Sequence, residues 1–189
     1  MADVVATDHR RPEAVVRRVC LVSTASGCGK STTGRLLAER MQAPYFELDA
    51  LHHGPNWQPR SADELRSMVE PLVRGESWVI DGSYRGKIGD LVPEAADVVI
   101  WLDLPVRVWL PRLLRRTARR LLSKEELWNG NRERWRDVLH PTNSVVIYAL
   151  RNHRRTRRTL EVALSRFRVA RLRSDAEVDR FLGSVRPTA

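Results

Sequence analysis

At 189 residues, with 42% apolar content, the chain has enough material for one α/β domain with a real core built on a five-stranded sheet. No apolar stretch approaches the ~20 residues of a membrane helix, residues 1–18 lack the apolar segment of a signal peptide, and the two cysteines, Cys20 and Cys28, are too few for a disulfide framework, so a reducing cytoplasm is expected. The net charge of +10 is carried by arginine, since only Lys30, Lys87 and Lys124 are lysine. Arginine forks pair bidentately with phosphate oxygens, which points to polyanionic partners; a genome rich in G and C would inflate arginine without any such demand.

In chain order, residues 1–17 read as a disordered basic tail, and 18–189 as a single domain. Apolar residues predict a first strand over about 16–22. A helix follows over 30–41, with Leu36, Leu37 and Met41 at helical spacing. A second strand, 45–48, ends at Asp49. Ser61-Ala62-Asp63-Glu64 is a capping box that opens a helix to about Val73. A third strand covers 78–80 and runs into Asp81-Gly82-Ser83-Tyr84. The apolar run 98–102 predicts a strand buried on both faces. An arginine-rich helix is expected over 105–122, an irregular polar stretch over 123–142, a long helix over 144–167 and a fifth strand over 168–172. Ser174-Asp175-Ala176-Glu177 is a second capping box for a last helix. Alternating strands and helices of this kind predict a doubly wound parallel sheet, whose ligands bind at the carboxyl ends of the strands.

Those ends carry the chemistry. Ser26-Gly27-Cys28-Gly29-Lys30-Ser31-Thr32, directly after the first strand, is most of a Walker A loop. Its glycines let backbone N–H groups turn around a phosphate, Lys30 reaches the β- and γ-phosphates, and the Ser31 hydroxyl can hold Mg²⁺. The full pattern wants glycine at position 24, where this chain has Thr24. A β-branched residue there is expected to alter the turn and weaken nucleotide binding. Asp81 has Walker B placement and can hold Mg²⁺ directly or through water, although Asp-Gly is also a common turn. Asp49 can orient an acceptor, accept a proton from a hydroxyl, or merely cap a helix. His52 and His53 have no partner at metal-ligand spacing and read as loop residues or acceptor contacts.

On the arginine-rich helix, Arg112, Arg115, Arg116, Arg119 and Arg120 fall in a stripe about 140° wide. No acidic residue interleaves them, so mutual repulsion is expected to be relieved by a bound polyanion. Pro111 threatens to kink or delay that helix. The stretch Leu127-Trp128-Asn129-Gly130-Asn131-Arg132-Glu133 has the composition of a lid whose arginines stabilise charge on a transferred phosphoryl group. The later cluster Arg151, Arg154, Arg155, Arg157 and Arg158 reads mainly as surface.

With these blocks in view, the chain resembles P-loop kinases of the adenylate kinase-like group, and more narrowly the topology modulation protein or adenylate kinase-related family, over nearly all of its length after residue 17. The carriers are residues 26–32, Leu48-Asp49-Ala50-Leu51 with Trp57, residues 78–84, and Arg112, Arg116 and Arg120 running into 127–133. The resemblance implies a P-loop NTPase fold with five parallel strands, flanking helices and a helical lid near 123–142. It implies an acceptor-binding segment near 50–75, and ATP and Mg²⁺ as donor and cofactor. It also implies that Arg116, Arg120 and Arg132 bind ATP phosphates or stack on adenine. The leading expectation is a small-molecule kinase, preferably for a nucleoside monophosphate, whose phosphate needs no general base. A hydroxyl acceptor would use Asp49 as base. Further alternatives are a nucleic-acid-associated NTPase or regulator, and a nucleotide-binding protein without transfer activity.

Overall fold

The computed structural model describes residues 16–123, 125–133 and 144–185. Its centre is a five-stranded sheet, all parallel, in the order β2-β3-β1-β4-β5. The strands are β1 (Arg18–Ser23), β2 (Tyr45–Glu47), β3 (Trp78–Asp81), β4 (Val98–Leu102) and β5 (Val169–Leu172). The helices are α1 (Lys30–Met41), α2 (Leu48–His52), α3 (Ala62–Val73), α4 (Arg85–Ile88), α5 (Leu91–Ala95), α6 (Val106–Ser123), α7 (Val145–Ala163) and α8 (Asp175–Ser184). Short 3-10 turns lie at Pro55–Trp57 and Trp128–Gly130.

Strand alternation builds two cores. Val19 and Leu21 of β1 face one side with Leu37, Met41, Trp109 and Leu113. Cys20 and Val22 face the other with Leu65, Val69, Trp78 and Ile80. Every residue of β3 and β4 is buried, as a parallel strand covered on both faces requires. β1 thus lies in the middle of the sheet, and the loop that leaves its carboxyl end opens where strand order reverses.

Local signals act largely as read, with instructive departures. At α3 the capping box is complete: Glu64 N–H donates to Ser61 Oγ at 3.2 Å and Ser61 N–H to Glu64 Oε2 at 2.8 Å. At α8 it is half built, because Glu177 Oε2 accepts from the Arg173 N–H at 2.7 Å instead of reaching Ser174. Pro111 sits inside α6 without ending it. The second strand stops at Glu47, since Leu48 turns into the core as the first residue of α2. Asp49 therefore stands in the first turn of a short helix, not at a strand end. At the start of β1, Asp97 Oδ2 accepts from the backbone N–H groups of Arg17 and Arg18 at 2.9 and 2.8 Å. Residues 1–15, and 124 and 134–142 of the expected lid, lie outside the described residues. The described part of that lid, 125–133, is built on a 3-10 turn.

Candidate active site

The loop between β1 and α1 has the form of a phosphate cradle. Gly27 and Gly29 both adopt left-handed backbone, with φ +90° and +88°. A Cβ on Gly27 would lie 2.5 Å from the Trp109 carbonyl oxygen, so this glycine also lets α6 approach the loop. Beside Gly29 the space is open, and among the described residues no side chain caps the amino end of α1. Its first N–H groups and the positive end of its dipole are left facing the cleft. Ser26, Cys28 and Thr32 line the same cleft. Cys28 also packs in the core, where burial raises its thiol pKa, as it does for Cys20, pushed up to about 12.

Thr24 is an unexpected part of the cradle. Its φ lies outside the left-handed region, so glycine is not required by the backbone. Its buried hydroxyl donates to Asp103 Oδ1 at 2.8 Å and accepts from the Trp101 indole N–H at 2.9 Å. Asp103 is held in turn by Arg171 and Arg157, at 2.8 and 3.0 Å. The substitution ties the start of the loop to β4 and β5 instead of loosening it.

Beneath the cradle, Lys30 Nζ is ion-paired with Asp81 Oδ1. Burial works against the ammonium, but the Asp81, Asp49 and Glu47 carboxylates hold its pKa above the ordinary lysine value. Ser31 Oγ lies 3.0 Å from both Glu47 Oε1 and Asp81 Oδ2. The Tyr45 hydroxyl donates to Asp81 Oδ2 at 3.1 Å, and Gly34 permits this, because a Cβ there would lie 2.6 Å from the Tyr45 ring. Glu47 and Asp81 are register partners on β2 and β3, which puts their carboxylates side by side. Sequence reading missed Glu47, although its alternation with Tyr45 places the two on one face of the strand. A hydroxyl and two carboxylates form a hard-oxygen set that suits Mg²⁺ held jointly with a nucleotide's phosphates. Among the described residues, no three His, Cys, Asp or Glu side chains gather to hold a metal by themselves.

A cleft of about 1630 Å³ runs from the cradle to α2. Lys30, Asp49, Arg116, Arg120 and Arg132 all line it. Asp81 is itself only 2% exposed and acts from beneath, through Lys30 and Ser31. Asp49 Oδ1 accepts from the Tyr84 hydroxyl at 2.5 Å. Burial and Asp49 raise the Tyr84 pKa, so this phenol stays a donor. His53 lines the cleft, whereas His52 is buried beneath it at the end of α2.

The arginine stripe of α6 is corrected by its surroundings. Arg112 forks onto Asp175 at 2.9 and 2.7 Å, Arg119 lies 3.3 Å from Glu125, and Arg120 lies 3.0 Å from Glu133. Their charges are neutralised by carboxylates distant in sequence or beyond the helix end, so no external polyanion is needed for these three. Arg115 stays outside the cleft lining. Arg116 differs: it is half-buried and, among the described residues, has no carboxylate at ion-pair distance and no hydrogen-bond partner for its Nε. Burial and then Arg120 push its pKa down. Arg132 lies 3.5 Å from Glu126 across an isolated bridge that closes the lid turn.

That turn is pinned to the segment expected to bind the acceptor. Asn131, 4% exposed, accepts the Trp57 N–H at 2.8 Å and donates to the Gly54 carbonyl at 2.9 Å. Asn129 donates to the Ala50 carbonyl at 3.1 Å, and the Trp128 indole to Glu47 Oε2 at 3.2 Å. The rings of His53, Trp57 and Trp128 meet at centroid distances of 5.4 to 6.4 Å.

No protein-family model matches the sequence, and a search of curated proteins finds no match. Solved structures do share the fold. A shikimate kinase from Bacteroides thetaiotaomicron is similar with a TM-score of 0.55 at 12% identity, over 89% of this chain and 95% of that one. A shikimate kinase from Acinetobacter baumannii, in complex with shikimate, is similar with a TM-score of 0.53 at 18% identity, over 87% and 88% of the two chains. At such identities the likeness is one of architecture: an α/β P-loop fold with five parallel strands.

Proposed function

We propose that this chain is a phosphotransferase that moves the γ-phosphoryl group of ATP to a hydroxyl of a small acceptor. The observation that carries the proposal is the assembly of Lys30, Ser31, Glu47 and Asp81 at the open amino end of α1, with Asp49 on the same cleft wall. The backbone of 26–32 cradles the phosphates. Lys30 and Arg116 neutralise charge that builds on the transferred group. Arg120 and Arg132, already paired with carboxylates, contribute more weakly. Ser31, with Asp81 and Glu47 behind it, would hold the Mg²⁺ that accompanies ATP; when bound, the ion offsets negative charge between the β- and γ-phosphates. Asp49 takes the acceptor's hydroxyl proton as its oxygen bonds to phosphorus, the bond from phosphorus to the β–γ bridging oxygen breaks, and ADP leaves.

The hydroxyl acceptor is favoured over a nucleoside monophosphate for a specific reason. Of the α6 arginines that favour a second phosphorylated substrate, Arg112, Arg119 and Arg120 are already paired with carboxylates of the chain itself. The acceptor end of the cleft instead presents Asp49, His53 and Trp57. The fold is shared with a kinase in complex with shikimate, a hydroxylated acceptor. Membership of the adenylate kinase-related group, and a place in the reducing cytoplasm, belong to the same proposal; the two buried free thiols, Cys20 and Cys28, support the latter.

The test is ADP production from Mg-ATP by purified protein across small polyols, hydroxy acids and nucleoside monophosphates, with Lys30→Ala as control. Turnover with a hydroxyl acceptor that is lost in Lys30→Ala is the expected result. Turnover with monophosphates alone would overturn the acceptor assignment. No acceptor-stimulated turnover at all would overturn the transferase assignment.

A further inference from the structure

A second cationic surface lies on α7, and nothing in the proposed reaction uses it. At 3.6 residues per turn, Tyr148, Arg151, Arg155, Arg158 and Val162 fall within an arc of about 80°, and Arg154 borders it. All six are exposed, Tyr148 by 64% and Val162 by 77%. Among the described residues, Arg151, Arg154, Arg155 and Arg158 have no carboxylate at ion-pair distance. The contrast lies on the same helix: Arg157 turns inward to Asp103 at 3.0 Å, and the one acidic residue of α7, Glu161, is taken by Arg171 at 2.8 Å. On α6 the fold supplied carboxylates for three of the six arginines; among the described residues, it supplied none for the arginines on this face of α7. Like charges three and four residues apart oppose helix formation, so the outer face of α7 carries a repulsion that an anion would relieve.

We propose that this face docks single-stranded nucleic acid, with the arginines on successive phosphates and the Tyr148 ring against a base. From Tyr148 to Arg158 the stripe is about 15 Å long at 1.5 Å per residue, the reach of a few nucleotides. An exposed aromatic ring at the head of an arginine track combines charge along the backbone with a stacking platform, the two features that bind single strands without reading sequence. An anionic membrane fits less well. The stripe has an apolar side chain at each end and guanidinium groups between, without the continuous apolar face that enters a lipid interface.

The experiment is fluorescence anisotropy of a labelled oligo-dT of about 20 nucleotides, titrated with the full chain between about 50 and 200 mM salt. Binding is expected to weaken as salt rises. The triple variant Arg151→Gln, Arg155→Gln, Arg158→Gln should flatten the log–log salt slope by about 2, at ~0.7 per phosphate contact on a single strand. The corresponding triple lysine variant should retain the slope. Tyr148→Ala should weaken binding by about tenfold with the slope unchanged, and Tyr148→Phe should bind as the parent does. Acceptor-dependent ADP production should be unaffected in all of them, which separates this site from the cleft. Three results would overturn the proposal: a parent protein that does not bind the oligonucleotide, a glutamine triple variant with the parental slope, or a silent Tyr148→Ala. Binding to phosphatidylserine vesicles but not to the oligonucleotide would overturn it in favour of a membrane surface.

Discussion

Tyr84 holds Asp49 from behind: its hydroxyl donates to Asp49 Oδ1 at 2.5 Å, from a residue whose own backbone is left-handed at φ 44°. The contact joins the turn after β3 to the first turn of α2 and fixes where the carboxylate stands in the cleft. If Asp49 is the base, Asp49→Asn should lower kcat by about 10²–10⁴-fold and leave ATP binding intact. Tyr84→Phe removes one hydrogen bond and should cost up to about tenfold. Steady-state ADP production and equilibrium ATP binding, measured on both variants, check this. Equal loss of both would show that Asp49 is a structural residue.

Thr24 is expected to be worth more to stability than to nucleotide affinity. Thr24→Val keeps the shape but orphans Asp103 Oδ1 and the Trp101 N–H, each costing about 1–3 kcal/mol when buried. Thermal denaturation should show a lower Tm, by about 2–4 °C per kcal/mol for a domain of this size. Thr24→Gly restores the full Walker pattern and should destabilise too. A variant Tm equal to that of the parent would refute the anchoring role.

Asn131 joins the lid turn to the segment after α2 by two hydrogen bonds, to Trp57 N–H and the Gly54 carbonyl. Asn131→Ala leaves both backbone groups without that partner. Hydrogen exchange at the Trp57 amide should accelerate, and the KM for the acceptor should rise more than that for ATP. Unchanged exchange at Trp57 would show that the two segments stay together without it.

His52 predicts a pH dependence of stability. Burial, then Lys87 and His53, lower its pKa from 6.5, so the unfolded chain takes up a proton at a higher pH than the folded one. The contribution of neutral His52 is therefore complete above pH 6.5 and is lost as pH falls from there toward the lower folded value. Urea midpoints between about pH 8 and pH 5 should fall, and His52→Phe should flatten that slope.

The sheet was legible because its evidence is local. Val98–Leu102 reads as a doubly buried strand by composition, the Walker loop by spacing, and the start of α3 by its capping box. Glu47 was half legible, since alternation with Tyr45 marks its face but only pairing with Asp81 makes it part of a site. Asp49 misled, because the turn that ends β2 is set by Leu48 entering the core. The α6 arginines misled for a related reason: a helix read alone shows its own charges and none of those that fold against it.

The sequence by itself determined the fold class and the form of the loop after β1, since periodicity, caps and glycine spacing act over a few residues. Tertiary structure alone decided which charges are spent. Arg112 meets Asp175 and Arg171 meets Asp103 across 63 and 68 residues of chain, and Thr24 finds its hydroxyl partners 79 and 77 residues away. Coulomb and hydrogen-bond energies depend on distance in space, which a linear sequence does not carry. For the same reason, only the folded chain distinguishes Arg116 in the cleft, and the outer face of α7, from the many arginines the protein has already neutralised.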